Sequence, residues 1–180
     1  MKHVNMVFIG CGVSGKATTL SQLLKLVNHA PELQYREAVT FEWMCDQEQA
    51  TVTARILSAI WGPYVLTEER LSANCEVQEE LTALQEAHGA ICVIDSQIAR
   101  LAKNVQAIHM LKRTLEAIGR SVYSFPIVFQ LNKRDVPHIL SIQHIQQRIE
   151  WPRCRFVPTV AVRGEGIQQV LESFFELQET

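Results

Sequence analysis

The stretch "VNMVFIGCGVSGKATTL", residues 4–20, decides the fold. It joins an apolar run of strand length to a glycine-rich turn, Gly10–Lys16, which satisfies the pattern G-x-x-x-x-G-K. A strand before this pattern and a helix after it are the context in which it forms a phosphate-binding loop. The sequence therefore predicts an α/β fold with a phosphate site at the end of its first strand.

The loop residues suit this chemistry. Glycines let the backbone curl so that successive N–H groups point inward, and the following helix adds the positive end of its dipole. Lys16 is expected to reach the β- and γ-phosphates of a nucleotide. The alternative is a strand-to-helix turn without a ligand, but such a turn has no need of a lysine after its third glycine. The residues expected to contact the nucleotide here are Gly10, Gly12, Val13, Ser14, Gly15, Lys16, Ala17 and Thr18.

The rest of the chain alternates strand-like and helix-like segments, which is typical of a mainly parallel sheet covered by helices. The expected strands are Val4–Ile9, Glu37–Met44, Gln49–Ile60, Gly89–Asp95, Phe125–Leu131 and Arg155–Ala161. The expected helices are Gly15–His29, Thr67–Ala87, Ile98–Ile118 and Ile167–Leu177. The second and third strands are separated by a short polar segment, which indicates an antiparallel pair. We expect one domain over residues 1–180, with a mostly parallel six-stranded sheet.

Composition excludes several classes of protein. Hydrophobic residues make up 47% and charged residues 20% of the chain, as in ordinary globular proteins. The net charge is −2 and the basic residues are scattered, so no nucleic acid is expected as a partner. The sequence carries neither a secretory signal pattern nor a transmembrane run, and we expect a cytoplasmic protein.

The cysteines are odd in number and widely spaced, which favours reduced thiols over disulfides or a metal site. They are Cys11, Cys45, Cys75, Cys92 and Cys154. Cys11 lies in the phosphate loop near a helix N-terminus, where a thiol can become acidic and oxidisable. The alternative is that Cys11 is a small side chain that fills a loop position.

A second motif, "NKRD" at Asn132–Asp135, follows the strand predicted over Phe125–Leu131. The Asp135 carboxylate can accept two hydrogen bonds from the N1 and N2 edge of guanine, which adenine cannot supply. Asn132 is expected to tie the base site to the phosphate loop, and Lys133, between Asn132 and Asp135, is also expected to contact the nucleotide. Open α/β sheets bind ligands at the carboxyl ends of their strands, so the two motifs together predict a guanine nucleotide site.

Two longer stretches add a family resemblance. "DSQIARLAKN" at Asp95–Asn104 and "QLNKRDVP" at Gln130–Pro137 resemble the MglA-like family of bacterial small GTPases, which couple nucleotide state to polarity and gliding motility. The resemblance implies a P-loop NTPase with a Ras-like G domain that binds GTP and GDP. It also implies that Ala161 and Val162, in "TVAVRGEG", lie against the guanine, although Val160 replaces the usual serine. The implied partner is a roadblock-type activator at the switch regions.

The magnesium ligands of this family are degenerate here. Ala17 stands where the loop hydroxyl normally holds Mg²⁺. Thr18 is the next residue, but a helical step of about 100° turns it elsewhere. Thr40 is a candidate switch threonine, and its alternation with Val39 and Phe41 favours a strand position instead.

The residues expected to assist hydrolysis also depart from the family pattern. Ala59 stands in place of the acid of D-x-x-G, and Pro63 follows Gly62 where the family has a glutamine that orients water. Arg36 is a candidate for the arginine finger that the resemblance implies, and the alternative is an exposed surface charge.

These observations predict a guanine-nucleotide-binding switch whose GTP hydrolysis is weak or depends on a partner. The alternative is a pseudo-GTPase, an interaction module that holds nucleotide permanently or not at all. A third class, an adenylate-using P-loop kinase, gives Asp135 no role. Whether Mg²⁺ binds is left open by the sequence.

Overall fold

The structure, a computed structural model, describes residues 2–27, 38–45, 48–57 and 75–179. Within these residues a six-stranded sheet has the strand order β2-β3-β1-β4-β5-β6. The strands are β1 (Lys2–Ile9), β2 (Val39–Cys45), β3 (Glu48–Ile56), β4 (Gly89–Asp95), β5 (Ile127–Asn132) and β6 (Cys154–Pro158). All neighbours pair in parallel except β2 and β3, which pair antiparallel.

Helices connect the parallel strands. They are α1 (Lys16–Leu26), α2 (Cys75–Glu86), α3 (Leu101–Ala117), α4 (Ile142–Arg148) and α5 (Ile167–Glu179). Single 3₁₀ turns precede two of the helices, at Ile98–Arg100 and Ala161–Arg163. The predicted mostly parallel six-stranded sheet with flanking helices is confirmed, and the arrangement is compatible with a Ras-like G domain.

The core lies on both faces of the sheet, as the period-2 alternation of strand side chains requires. In β1, Met6 and Phe8 pack into the cluster that contains buried residues of α1 and α5. Val7 and Ile9, which alternate with them, pack into the cluster that contains buried residues of α2 and α3. β1 is therefore covered on both sides, and the loop Gly10–Lys16 begins at the carboxyl end of a buried strand.

Several predicted boundaries shift. The antiparallel pair is confirmed, as is the strand Gly89–Asp95. The last strand ends at Pro158 and does not reach Ala161, which begins a 3₁₀ turn closed by Gly164 at φ 75°. The first part of the predicted helix Thr67–Ala87 lies outside the described residues, and its second part is α2.

Helix α4 was not predicted from the sequence. Its seven residues carry mainly glutamine, histidine and arginine, so only a short apolar signal is present. The start signal is Ser141, whose Oγ accepts a hydrogen bond from the His144 N–H at 3.1 Å. A serine at this position satisfies one of the free N–H groups of the first helical turn.

No helix in the described ranges is both long and apolar enough to cross a membrane.

Candidate functional site

The two sequence motifs meet at one edge of the sheet. The loop Gly10–Lys16 follows β1, and Asn132 ends β5, with β4 lying between the two strands. The Asn132 side-chain N–H donates to the Ser14 main-chain oxygen at 2.9 Å. Residues 118 positions apart in sequence are therefore joined by a buried hydrogen bond.

Two glycines of the loop are required by its geometry. Gly10 has φ 134°, and a Cβ there would lie 2.3 Å from the Val93 carbonyl oxygen. Gly15 has φ 111°, and a Cβ there would lie 2.3 Å from Nδ2 of Asn132. Both values of φ favour glycine and both contacts exclude a side chain. The loop is consequently packed against β4 and β5 by its bare backbone.

Lys16 is folded back into the loop. Its ammonium donates to the main-chain oxygens of Gly10 at 2.9 Å and Cys11 at 3.0 Å, and the side chain is buried. Burial lowers the pKa of Lys16, while the nearby thiols and Glu80 act in the opposite direction. An ammonium has three donors, and these bonds use two of them. The arrangement holds a cation beside the N-terminus of α1.

Ser14 adds a polar group to the same place. Its side chain is fully buried, and its Oγ has no hydrogen-bond partner among the described residues. Its N–H donates to the Cys11 oxygen at 3.3 Å. A buried hydroxyl without a partner is costly, and in native proteins it usually marks a place where a water or ligand completes the bonding.

The base-recognition segment Asn132–Asp135 is fixed by contacts on both sides. The Asn132 Oδ1 accepts from the Ala161 N–H at 2.9 Å and from the Thr159 hydroxyl at 3.3 Å. With the bond to Ser14, both ends of the amide are engaged. These partners identify which end of the Asn132 amide is nitrogen and which is oxygen, because the nitrogen must face the Ser14 carbonyl and the oxygen must face the Ala161 N–H.

Asp135 differs from its neighbours in being accessible. Its carboxylate lies 3.5 Å from the guanidinium of Arg163, whose side chain is 61% exposed. The Asp135 side chain is 23% exposed, so the pair is in contact with solvent, which limits its contribution to stability. The carboxylate is therefore available to a ligand that brings its own donors.

Asp95 is a site residue that the sequence did not single out beyond its place in the family resemblance. It ends β4 and is fully buried, and its Oδ2 accepts from the Lys133 ammonium at 2.8 Å. Burial raises the pKa of Asp95, but hydrogen bonds from Lys133 and Gln97 outweigh it and hold the pKa below its usual value. The sequence signal that could have identified Asp95 is its place as the charged last residue of an otherwise apolar strand.

Ala161 lies next to Asn132, and its expected contact with the guanine stays a prediction. Its N–H donates to the side-chain oxygen of Asn132. Val162, the next residue, has a side chain that is 69% exposed. Val160, in the position of the usual serine, is buried. The segment thus lies beside the base-recognition residues, and the N–H groups of Val160 and Arg163 donate to main-chain oxygens.

The candidate metal ligands do not gather. Ala17 offers no oxygen, and Thr18 lies in the first turn of α1 with its side chain half-buried. Thr40 lies in β2, as the strand interpretation predicted, and its hydroxyl is 3.4 Å from that of Thr53. Thr53 pairs with Asn5, which lies five residues before Gly10, so Thr40 is level with a point about 16 Å before the loop, at about 3.3 Å per residue.

The donor chemistry therefore does not fit the usual magnesium site of this kind of loop. Across the described ranges, no group of three or more histidine, cysteine or acidic side chains could hold a metal ion. Arg36, Ala59, Gly62 and Pro63 lie outside the described residues, so the structure does not test their roles.

Cys11 is not the acidic thiol that its position allowed. The side chain is 9% exposed, and burial raises its pKa above the ordinary value despite the nearby Lys16. Its Sγ donates to Oδ1 of Asn104 at 3.3 Å. The alternative, a small side chain that fills the loop, is the one the structure favours.

A cavity of about 490 Å³ lies away from these residues, between β1, β3 and α2. Among its lining residues are Asn5, Thr53 and Arg55 on the strands and Thr82 and Glu86 on the helix. No residue lining it in the described part of the chain belongs to either motif.

Comparison with known proteins finds a distant relative over part of the chain. The chain is 28% identical over 94 residues to the mutual gliding-motility protein MglA of Myxococcus xanthus (strain DK1622). The match covers 52% of this chain and 48% of that protein, so it spans about half the length of each. No family model matches the sequence. The similarity supports a distant relationship to small Ras-like GTPases.

Proposed function

We propose that this chain binds guanine nucleotides and acts as a switch of the small GTPase type, with slow intrinsic hydrolysis. The observation that carries the proposal is the 2.9 Å hydrogen bond from Asn132 to the Ser14 oxygen. It joins a phosphate-loop motif to a base-recognition motif at the carboxyl edge of a parallel sheet, where such sheets bind ligands.

At the phosphate end, the diphosphate would lie in the curve of Gly10–Lys16. The main-chain N–H groups at the start of α1 and the Lys16 ammonium supply positive charge. The unpartnered Ser14 hydroxyl lies in the same loop. These groups can bind phosphate oxygens without a metal ion, which is why the loss of the hydroxyl at Ala17 is compatible with binding.

At the base end, Asp135 would accept the N1 and N2 hydrogens of guanine. Its present partner is the exposed guanidinium of Arg163, which solvent can replace. Adenine presents no matching pair of donors, so the carboxylate would be left desolvated and unpaired against it. Such a mismatch discriminates strongly between bases.

Hydrolysis is proposed to be slow because its usual assistants are missing from the sequence. Phosphoryl transfer depends on groups that stabilise the charge on the transferred phosphate, each worth about 10²- to 10⁵-fold in rate. Ala17 contributes no metal ligand, and Pro63 stands where a glutamine would orient water. The 28% identity to a gliding-motility protein supports a switch of the small GTPase type. The family resemblance of the sequence implies the further proposal, that a roadblock-type partner stimulates its hydrolysis.

The second candidate is a pseudo-GTPase, an interaction module whose nucleotide, if any, is never turned over. Ala17 is the observation that favours it. The two candidates differ in the effect of Lys16→Ala on a co-purified partner. A switch loses the partner together with the nucleotide, whereas an interaction module keeps it.

The proposal is tested by titrating the protein with fluorescently labelled GDP and ADP, in Mg²⁺ and in EDTA. We expect GDP to bind at least about tenfold more tightly than ADP, with little change on removal of Mg²⁺. Asp135→Asn should abolish the preference. Glu165→Gln is the matched control, because Glu165 also faces Arg163, at 3.6 Å, and has no proposed role. Equal affinity for GDP and ADP in the unaltered protein would overturn the proposal.

A further inference from the structure

Asp95 lies between the two motifs, at the end of β4, and gathers hydrogen bonds from both of its sides. Its Oδ2 accepts from the Lys133 ammonium at 2.8 Å, and its Oδ1 accepts from the main-chain and side-chain N–H groups of Gln97, both at 3.1 Å. The Arg100 guanidinium lies 3.7 Å from Oδ2. A fully buried carboxylate is thus compensated by four donors or positive groups, as burial of a charge requires.

Lys133, the ion-pair partner of this carboxylate, has an unusual backbone conformation. Its φ of 62° is in the left-handed region, which costs a residue with a side chain of this size free energy unless its surroundings hold it there. Lys133 stands between Asn132 and Asp135, so its backbone angles set the direction in which the chain presents both. An ion pair to a buried carboxylate is strong and directional, because water does not screen it.

The main chain of Asp95 reaches the phosphate loop as well. Its carbonyl accepts from Nδ2 of Asn104 at 2.7 Å, and Oδ1 of Asn104 accepts from the Cys11 thiol at 3.3 Å. The next residue, Ser96, donates its N–H to the main-chain oxygen of Asn132 at 3.1 Å. The end of β4 is therefore bonded to both halves of the proposed site.

We propose that Asp95 is a positioning residue for guanine recognition: through Lys133 it fixes the segment Asn132–Asp135 so that the Asp135 carboxylate faces the base. The inference rests on the proposed function and adds to it a residue that does not touch the nucleotide. Asp95→Asn keeps the shape of the side chain and removes its charge, which leaves Lys133 without an anionic partner. Lys133→Gln removes the same ion pair by changing its other partner, whose side chain is more exposed than that of Asp95.

The experiment compares labelled GDP and IDP binding to the full chain. IDP lacks the 2-amino group of guanine, so the ratio of the two dissociation constants reports whether Asp135 is correctly placed. A general loss of folded protein leaves this ratio unchanged. We expect the unaltered protein to prefer GDP, and Asp95→Asn to weaken GDP binding by about ten- to one-hundredfold while reducing the preference. Lys133→Gln should do the same.

The double variant should be no worse than the more severe single variant, because both substitutions remove one interaction. Glu172→Gln, an exposed carboxylate on α5 that contacts Gln168 at 2.8 Å, is the control and should match the unaltered protein. If the unaltered protein does not prefer GDP over ADP, the proposed function fails and the inference fails with it. If the unaltered protein prefers GDP over IDP and both single variants keep that preference, this inference is overturned while the proposed function stands.

Discussion

The buried side chain of Gln130 in β5 donates a hydrogen bond to the hydroxyl of Thr19 in α1 at 2.8 Å. The same amide nitrogen donates to the Thr159 hydroxyl at 3.0 Å, which in turn donates to Asn132. A polar connection therefore runs through the core from the helix behind the phosphate loop to the asparagine of the base-recognition segment. Such networks cost stability unless their members are paired, and they specify one arrangement when they are.

Gln130→Met, which keeps the length of the side chain, tests this connection. The hydroxyls of Thr19 and Thr159 each lose a hydrogen-bond donor, which lowers the free energy of unfolding. Removing the Gln130 side-chain oxygen offsets part of this loss, because that buried oxygen has no partner among the described residues. We therefore expect a net decrease of only about 1 kcal/mol. Urea denaturation at neutral pH measures the change. Gln146→Met on the exposed face of α4 is the control and should leave the midpoint where it is. A more stable Gln130→Met protein would contradict the argument.

Gly10 and Gly12 provide a matched pair in the phosphate loop. A Cβ on Gly10 would collide with the Val93 oxygen, whereas a Cβ on Gly12 has no atom within 4 Å. Gly10→Ala should lower the free energy of unfolding by about 2 kcal/mol or more, because the strain of its backbone adds to the collision. Gly12→Ala should change it by less than about 0.5 kcal/mol. Thermal unfolding of the two variants side by side decides the point, and equal losses would refute it.

His88 gives a pH dependence that can be measured. Its Nδ1 accepts from the Asn5 N–H at 3.0 Å, which requires the neutral ring. Burial lowers the pKa of His88, and the charges of Lys2 and Arg120 act in the same direction. The unfolded chain therefore binds the proton more readily than the folded one, and stability falls as the pH drops below about 6.5.

His88→Asn removes the titrating group and keeps an acceptor. The midpoint of thermal unfolding, measured from pH 7.5 to pH 5.5, should decline more steeply for the unaltered protein than for the variant. Parallel curves would mean that His88 does not contribute. His109, on the exposed face of α3, gives the control variant His109→Asn, which should follow the unaltered protein.

Much of the fold could be predicted because its signals are local. The apolar run Gly89–Asp95 is bounded by a glycine and a polar turn, and β4 has these bounds. Likewise the alternation of Val39 and Phe41 with polar residues identified β2, with Thr40 on its exposed side. Helix α4 could not be predicted in this way, since seven mainly polar residues carry too few apolar positions to define a face.

The site was less predictable than the fold. The motifs indicated Asn132 and the loop glycines, because their spacing follows from the shape of a nucleotide. The pairing of Asp95 with Lys133 could not be read from the sequence, since it depends on β4 lying beside β5 and on a left-handed backbone at a lysine. The same holds for Asn104, whose contact with Cys11 exists only because α3 begins next to the loop.

The loss of the loop hydroxyl at position 17 gives the sharpest prediction about metal dependence. Ala17→Ser restores, at the start of α1, the oxygen that holds Mg²⁺ in related loops. In the unaltered protein we expect labelled GDP to dissociate at nearly the same rate in Mg²⁺ and in EDTA. In Ala17→Ser the rate in EDTA should exceed that in Mg²⁺ by about tenfold, the effect of a free-energy difference of about 1.4 kcal/mol. Thr18→Ala, one position along the helix, is the control and should not respond to Mg²⁺. If the unaltered protein already releases GDP much faster in EDTA, another residue supplies the ligand and the degeneracy of this site is disproved.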